Sequence, residues 1–205
     1  MGITQTAAER VRATRLAKSM TLAELSGRSA LPISTLSKIE NNKVSLSYDK
    51  LRKLALGLGV DIGYFVAVEP SALALAEQMG RRSLTRRKDI STIETAEHIY
   101  GYHATDLLNK KMTPMVIDIN IDPDQNNVEF SRHAGEEFFF VLSGKVRFCS
   151  ELYAPVIMEP GDSMYFDGGM GHYYQRWSDE PASILSVCCA TYEELGRSQA
   201  LASED

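Results

Sequence analysis

The chain has 205 residues, 44% hydrophobic and 24% charged, with a formal net charge of -5. That composition excludes a wholly disordered chain and suffices for two domains of about 100 residues each. No run reaches about 18 uninterrupted apolar residues and the N-terminus carries no basic-then-apolar leader, so a soluble, cytoplasmic protein with no membrane partner is expected.

The charge is distributed unevenly. Residues 1–68 hold ten Lys/Arg against five Asp/Glu, residues 69–90 hold five against three, and residues 91–205 hold seven against nineteen. A polyanion would therefore meet the N-terminal end, despite the negative total. The cysteines Cys149, Cys188 and Cys189 are odd in number and lack a CxxC spacing. They read as free thiols of a reducing compartment, buried in a core.

In chain order, residues 7–18 predict a helix with Val11 and Leu16 inward and Arg10, Arg12, Arg15 and Lys18 supplying charge. Thr21 and Glu24 have capping-box spacing, and Leu22, Ala23, Leu25 and Ser26 give the second helix its inward face. A turn through Ser29, Ala30 and Leu31 leads to a third helix with Pro32 in its first turn, Leu36 and Ile39 inward, and Asn42 ending it in the left-handed region. Ile33, Ser34, Thr35, Ser37 and Lys38, with Asn41 and Lys43 just beyond, are then the residues offered to a DNA groove. Ser47 caps a fourth helix carrying Leu51, Leu54, Ala55 and Leu58, which stops at Gly59. Asp61 starts a fifth, with Ile62, Phe65 and Val66 closing a small core.

Residues 69–90 change character and read as a basic linker ending in Arg81, Arg82, Arg86, Arg87 and Lys88. From about Ile90 short β-like runs follow one another, punctuated by turn residues. Ser143-Gly144 reads as a hairpin turn and Pro160-Gly161-Asp162 as a corner, which favours an all-β sandwich or barrel. The expected fold class is α+β multidomain: a five-helix domain over 1–68, the linker, and an all-β domain over 91–205.

TLAELSGRSALPISTLSKIENNKVSLSYDKLRKLALGLGV resembles the DNA-binding domain of the Xre and lambda-repressor-like family, over roughly residues 6–68. The resemblance implies an internal pair between Arg15 and Glu40, and double-stranded DNA as partner. Pro32 departs from the usual Ser/Thr and Asn42 from the commoner glycine.

SRHAGEEFFFVLSGKV, followed by EPGDSMYFDGGMGHYY, resembles the two motifs of the cupin barrel over about residues 112–190. The carry-over places the family's metal-ligand positions at Ser131, His133, Glu137 and His172. Ser131 replaces an imidazole, which leaves His133, Glu137 and His172 as a set suited to Fe, Mn, Ni or Zn. Glu136 should point away. Tyr102, Ser131, Phe138, Phe140 and Tyr174 are expected to line an effector pocket, and Tyr165, Phe166 and Trp177 to pack or close the barrel.

Together the two halves look like a family of bacterial transcription regulators, which implies a small-molecule effector and a homodimer formed through the barrel. The same architecture is similar to the iron-dependent hydroxypropylphosphonate epoxidases. That alternative implies a mononuclear iron enzyme using His133, Glu137 and His172, with the family's essential lysine falling near Ser19, beside Lys18.

Overall fold

Thr6 and Glu9 open the first helix, α1 (Ala7–Ala17), with a capping box: Glu9 N–H donates to the Thr6 hydroxyl and Thr6 N–H to the Glu9 carboxylate. This computed structural model describes residues 6–44, 46–60, 62–66, 81–107 and 110–189. α1 buries Ala8, Arg10, Val11 and Thr14, whereas Leu16 is 56% exposed and not inward as expected. Five positions carry Leu16 about 140° around the helix from Val11, out of the stripe that Thr14 completes. Arg10 is inward because its Nη1 reaches the Tyr64 carbonyl at 3.3 Å.

The predicted capping box of Thr21 and Glu24 starts α2 (Leu22–Ser29), with Glu24 N–H donating to the Thr21 hydroxyl at 3.1 Å and Thr21 N–H to the Glu24 carboxylate at 2.7 Å. Leu25 and Ser29 form its buried side, while Ala23 is exposed. Pro32 stands just outside α3 (Ile33–Glu40), as its N-cap, and its carbonyl accepts from Leu36 N–H at 3.0 Å. A residue without an N–H loses nothing there. Leu36 and Ile39 are fully buried. Asn42 ends the helix in the left-handed region at φ 55, as predicted, with its N–H donating to Ile39 O and Lys43 N–H to Lys38 O.

α4 (Tyr48–Leu58) follows Ser47, whose side chain makes no cap hydrogen bond, and stops at Gly59 with φ 63. Its Leu51, Leu54, Ala55 and Leu58 are buried, as is Phe65 of the short α5 (Gly63–Val66). Asp61 lies outside the described residues, as does most of the expected linker; Arg87–Asp89 form one 3-10 turn.

The β part has nine strands among the described residues: β1 (Ser91–Glu94), β2 (His98–Tyr102), β3 (Met112–Ile119), β4 (Glu136–Ser143), β5 (Val146–Ser150), β6 (Val156–Met158), β7 (Ser163–Asp167), β8 (His172–Arg176) and β9 (Ala182–Cys189). They make one sheet in the order β1-β2-β3-β9-β4-β7 and a second in the order β6-β5-β8. Alternation sends Glu137, Phe139 and Val141 of β4 inward, to meet Val146 and Phe148 of β5 and Ile184 of β9.

The expected hairpin at Ser143-Gly144 is not formed. β4 pairs with β7 and β9, and β5 with β6 and β8, so this turn carries the chain from one sheet to the other. Gly144 has φ 67, and a Cβ there would lie 2.7 Å from Ala182 Cα, so the crossover needs glycine. Pro160-Gly161-Asp162 does form a corner, between β6 and β7, with Glu159 N–H donating to the Asp162 carboxylate. Contacts divide the described residues into two units, a helical one taking in 81–91 and 104–107, and a barrel made of the strands from Thr92.

The helical unit is fastened by a bidentate pair: Arg15 Nε donates to Glu40 Oε1 at 2.7 Å and Nη2 to Oε2 at 2.8 Å, with Nη1 on the Met20 carbonyl. These hydrogen bonds hold the Arg15 pKa further above its ordinary value. Both side chains are largely covered, so Glu40→Ala should cost about 3 kcal/mol by stranding the guanidinium. The check is the helical transition of the full chain in urea, followed by far-ultraviolet circular dichroism against wild type.

Candidate metal centre and DNA-reading helix

The centre of the barrel is a buried carboxylate. Glu137 enters β4 on the inward side and pairs across with Cys188 of β9 and Phe166 of β7. Its Oε1 accepts two hydrogen bonds, from the Tyr174 hydroxyl and the Ser186 hydroxyl, both at 2.6 Å. Its Oε2 accepts from His133 Nε2 at 2.7 Å and lies 3.7 Å from His172 Nε2. Glu137, His133 and His172 are 3%, 5% and 3% exposed. The three expected ligands are thus brought together.

Backbone bonds aim both histidines. His133 N–H donates to Gly168 O at 2.8 Å, and a Cβ on Gly168 would collide with the His133 ring, so only glycine lets the ring lie there. Ser131 and His172 exchange backbone hydrogen bonds at 2.9 and 3.0 Å. The Glu151 carboxylate accepts from Arg132 and, at 3.0 Å, from Gly171 N–H, tying together the neighbours of the two histidines.

His172 Nδ1–H donates to the Met170 carbonyl at 2.8 Å. In the neutral ring Nε2 then carries a lone pair toward Glu137 Oε2. Burial lowers the His172 pKa, against the opposing pull of Glu137, and favours that neutral form. Nε2 of the neutral ring and Oε2 are then both acceptors, 3.7 Å apart, and a proton or another cation can join them. Glu137 is held as the carboxylate, with a pKa of about 2: burial alone would raise it, but the hydrogen bond from His133, the attraction of any positive charge taken up by either imidazole, and the Ser186 hydroxyl bring it down. Phe166 and Phe148 pack on the His172 ring, with centroids at 4.6 and 6.2 Å, and His133 meets it edge-on at 5.2 Å.

Cys188 was expected to be plain core. Its sulfur and the donor atoms of His133 and Glu137 all lie within 4.8 Å of one another, a compact group that does not include His172, whose Nε2 is 3.7 Å from Glu137 Oε2. Sequence patterning missed it because a buried strand cysteine looks the same whichever inward neighbour it faces. Cys149 is also buried, Cys189 is half-buried, and none of the three is in a disulfide.

Of the expected effector-pocket residues, Tyr102 and Tyr174 are buried within the barrel. Phe138, 39% exposed, and Phe140 lie on the opposite face of β4 from Glu137, so they do not line the interior; each is one residue out of phase. Ser131 is exposed and contributes backbone only. Glu136 points away as expected, and Tyr165 and Trp177 are exposed while Phe166 packs inside. His98 Nδ1 and the Tyr102 hydroxyl are buried and find no hydrogen-bond partner among the described residues. Burial raises the pKa of Tyr102 and Tyr174 well above the ordinary value, so both phenols stay protonated.

In the helical unit, Ile33, Ser34 and Lys38 of α3 and Asn41 and Lys43 beyond it are exposed, and Thr35 and Ser37 are half-buried. All seven expected DNA-contacting residues therefore remain accessible, with Leu36 and Ile39 turned into the core behind them.

The helix-turn-helix family matches residues 11–65 and the cupin domain family residues 118–188. The chain therefore carries a helix-turn-helix domain followed by a cupin domain. Among solved structures, an HTH_3 family transcriptional regulator from Vibrio cholerae is 19% identical with a TM-score of 0.56, over 90% of this chain and 95% of that one. Hydroxypropylphosphonic acid epoxidase from S. wedmorenis, in complex with fosfomycin, is 21% identical with a TM-score of 0.48, over 92% of this chain and all of that one. These likenesses concern the fold. No curated protein matches by sequence. Among the described residues of this helix-turn-helix–cupin chain, no helix is long and apolar enough to cross a membrane.

His98 gives the cupin barrel a pH dependence. Burial lowers its pKa from 6.5 to about 4. Between those values the unfolded chain binds the proton and the folded chain does not. The stabilisation is complete above 6.5 and is lost as pH falls, by about 1.4 kcal/mol per unit, levelling off near 4. Urea midpoints taken from pH 7 to 4.5 should drop for wild type and flatten in His98→Asn.

Proposed function

We propose that this helix-turn-helix–cupin protein is a DNA-binding transcription regulator, acting as a homodimer, whose barrel holds a divalent metal and answers to a small molecule. The observation that carries the DNA reading is α3: Leu36 and Ile39 anchor it, the Arg15–Glu40 fork fastens its far end, and Ser34 and Lys38 stand out in solvent. Hydroxyls and one cation suit base edges and phosphates of a major groove. Two copies are needed to set two such helices one DNA turn apart, roughly 34–36 Å.

The metal reading is supported by the donor chemistry around Glu137. Oε1 is occupied by Tyr174 and Ser186, so Oε2 is the ligand oxygen; His172 offers the Nε2 lone pair, His133 would exchange its Nε2 proton for the cation, and Cys188 adds sulfur. Fe, Mn, Ni or Zn fits nitrogen and oxygen donors, and the sulfur favours the softer end of that set. Such an ion, when bound, would polarise an oxygen or nitrogen of a ligand beside it. The buried Tyr102 hydroxyl and His98 Nδ1 are the polar atoms an effector would satisfy.

A second reading, a mononuclear iron oxidoreductase, rests on the same convergence of two histidines and one carboxylate. Selection of bound fragments from genomic DNA separates the two. A palindromic site held far more tightly than random DNA establishes the regulator; no enrichment, with binding that vanishes at moderate salt, overturns it.

On the selected site, Lys38→Ala should weaken binding roughly tenfold across sequences, and Ser34→Ala should relax preference at one base pair, as read by titration on a mutated operator series. For the barrel, the protein purified after dialysis against a divalent-metal mixture should carry about one ion per chain by elemental analysis, and His172→Ala should lose most of it. A wild-type chain that binds no metal sinks this part of the reading.

A further inference from the structure

β6 and β7 are the outer strands of the two sheets on the same side of the barrel: each pairs with one neighbour only. Between them lies a cavity of about 520 Å³, within the usual range for small-molecule sites. Its walls come from Val156 of β6, Met164, Tyr165 and Phe166 of β7, and the Leu152–Ala154 turn after β5. Leu152, Tyr153 and Tyr165 are more than half exposed, and Val156 nearly so, which is unusual for side chains so apolar gathered around one concavity. The rest of the lining is apolar too, except for the tyrosine hydroxyls and one acidic side chain, Asp167. None of the expected effector-pocket residues lines it.

We propose that this seam between the sheets binds the apolar body of a small neutral or cationic molecule. Apolar walls supply the driving force, the concave shape and volume suit a small molecule better than a flat protein face, and the acidic side chains of Asp167 and of Glu136, which is hydrogen-bonded to the wall residue Tyr165, disfavour anions. The inner wall is shared: Phe148 and Phe166 line the cavity and also pack on His172, so an occupant bears on the rings that hold a member of the polar centre. Binding at the seam stands independently of whether the centre holds a metal.

The test uses the full chain and N-phenyl-1-naphthylamine, a neutral probe that brightens in apolar surroundings. Saturable uptake near one probe per chain is expected, before and after dialysis against a chelator. Ala154→Trp, at the exposed rim, and Met164→Trp, in the wall, should each weaken uptake roughly tenfold or more, and Ala154→Trp should leave the melting temperature in place. Decylamine should displace the probe at lower concentration than decanoate, and Asp167→Asn should narrow that difference. Absence of saturable uptake, including the case in which a second copy covers the seam, overturns the proposal. So does uptake that both tryptophan variants leave unchanged; decanoate outcompeting decylamine overturns the charge preference.

Discussion

A carboxylate inside a barrel is tolerable only if both oxygens are matched, and at Glu137 the two oxygens are matched differently. Oε1 is satisfied by neutral hydroxyls from β8 and β9, which fix the orientation of the group without neutralising it. Oε2 carries the remaining charge toward two imidazoles. The surrounding aromatic rings exclude water and so strengthen each of these interactions, while making any unpaired charge costly. The local backbone serves this arrangement: a glycine at 168 leaves room for the His133 ring, and Glu151 fastens the loops that deliver both histidines.

The helical unit solves a comparable problem at its own scale. Arg15 and Glu40 are both mostly covered, and each satisfies the other with two short hydrogen bonds, so the far end of α3 is fixed from behind. That leaves the solvent side of α3 with no part in packing, and it can be polar at no cost to the core. In the proposed dimer, a ligand in the barrel would alter DNA affinity only through unequal binding to states that differ in half-site spacing.

Much of this was legible in the sequence wherever the signal was local. Thr21 and Glu24 three residues apart and Asn42 at the helix end are short-range patterns with one physical solution, and the structure follows them. The centre was legible by resemblance: His133, Glu137 and His172 converge although 39 residues separate the first from the last. What could not be read depends on pairing partners. Ser143-Gly144 has hairpin chemistry, yet its flanking strands pair elsewhere, and a turn's composition does not say whether the chain doubles back or crosses between sheets. Phe138 and Phe140 are a different kind of miss: with Glu137 inward, period-two alternation along β4 already sends them outward, and the expectation placed them inside against that rule. Cys188 faces Glu137 because of the register between β4 and β9, which no local pattern encodes.

The seam and the centre have two aromatic rings in common, and that sharing has thermodynamic content. Phe148 and Phe166 are nearly fully buried and touch each other with centroids 5.1 Å apart, as well as touching His172. Close-packed rings do not yield independently, so a molecule that tilts Phe166 from the seam side must also move the imidazole resting on it. The lone pair of His172 points at Oε2 only in one ring orientation, because Nδ1 is held by the Met170 carbonyl. His172 and Glu137, if they held a cation, would keep the imidazole in that orientation and with it the rings that form the cavity wall. Linkage makes the effect reciprocal: whatever factor an occupant of the seam imposes on metal affinity, the metal imposes on the occupant.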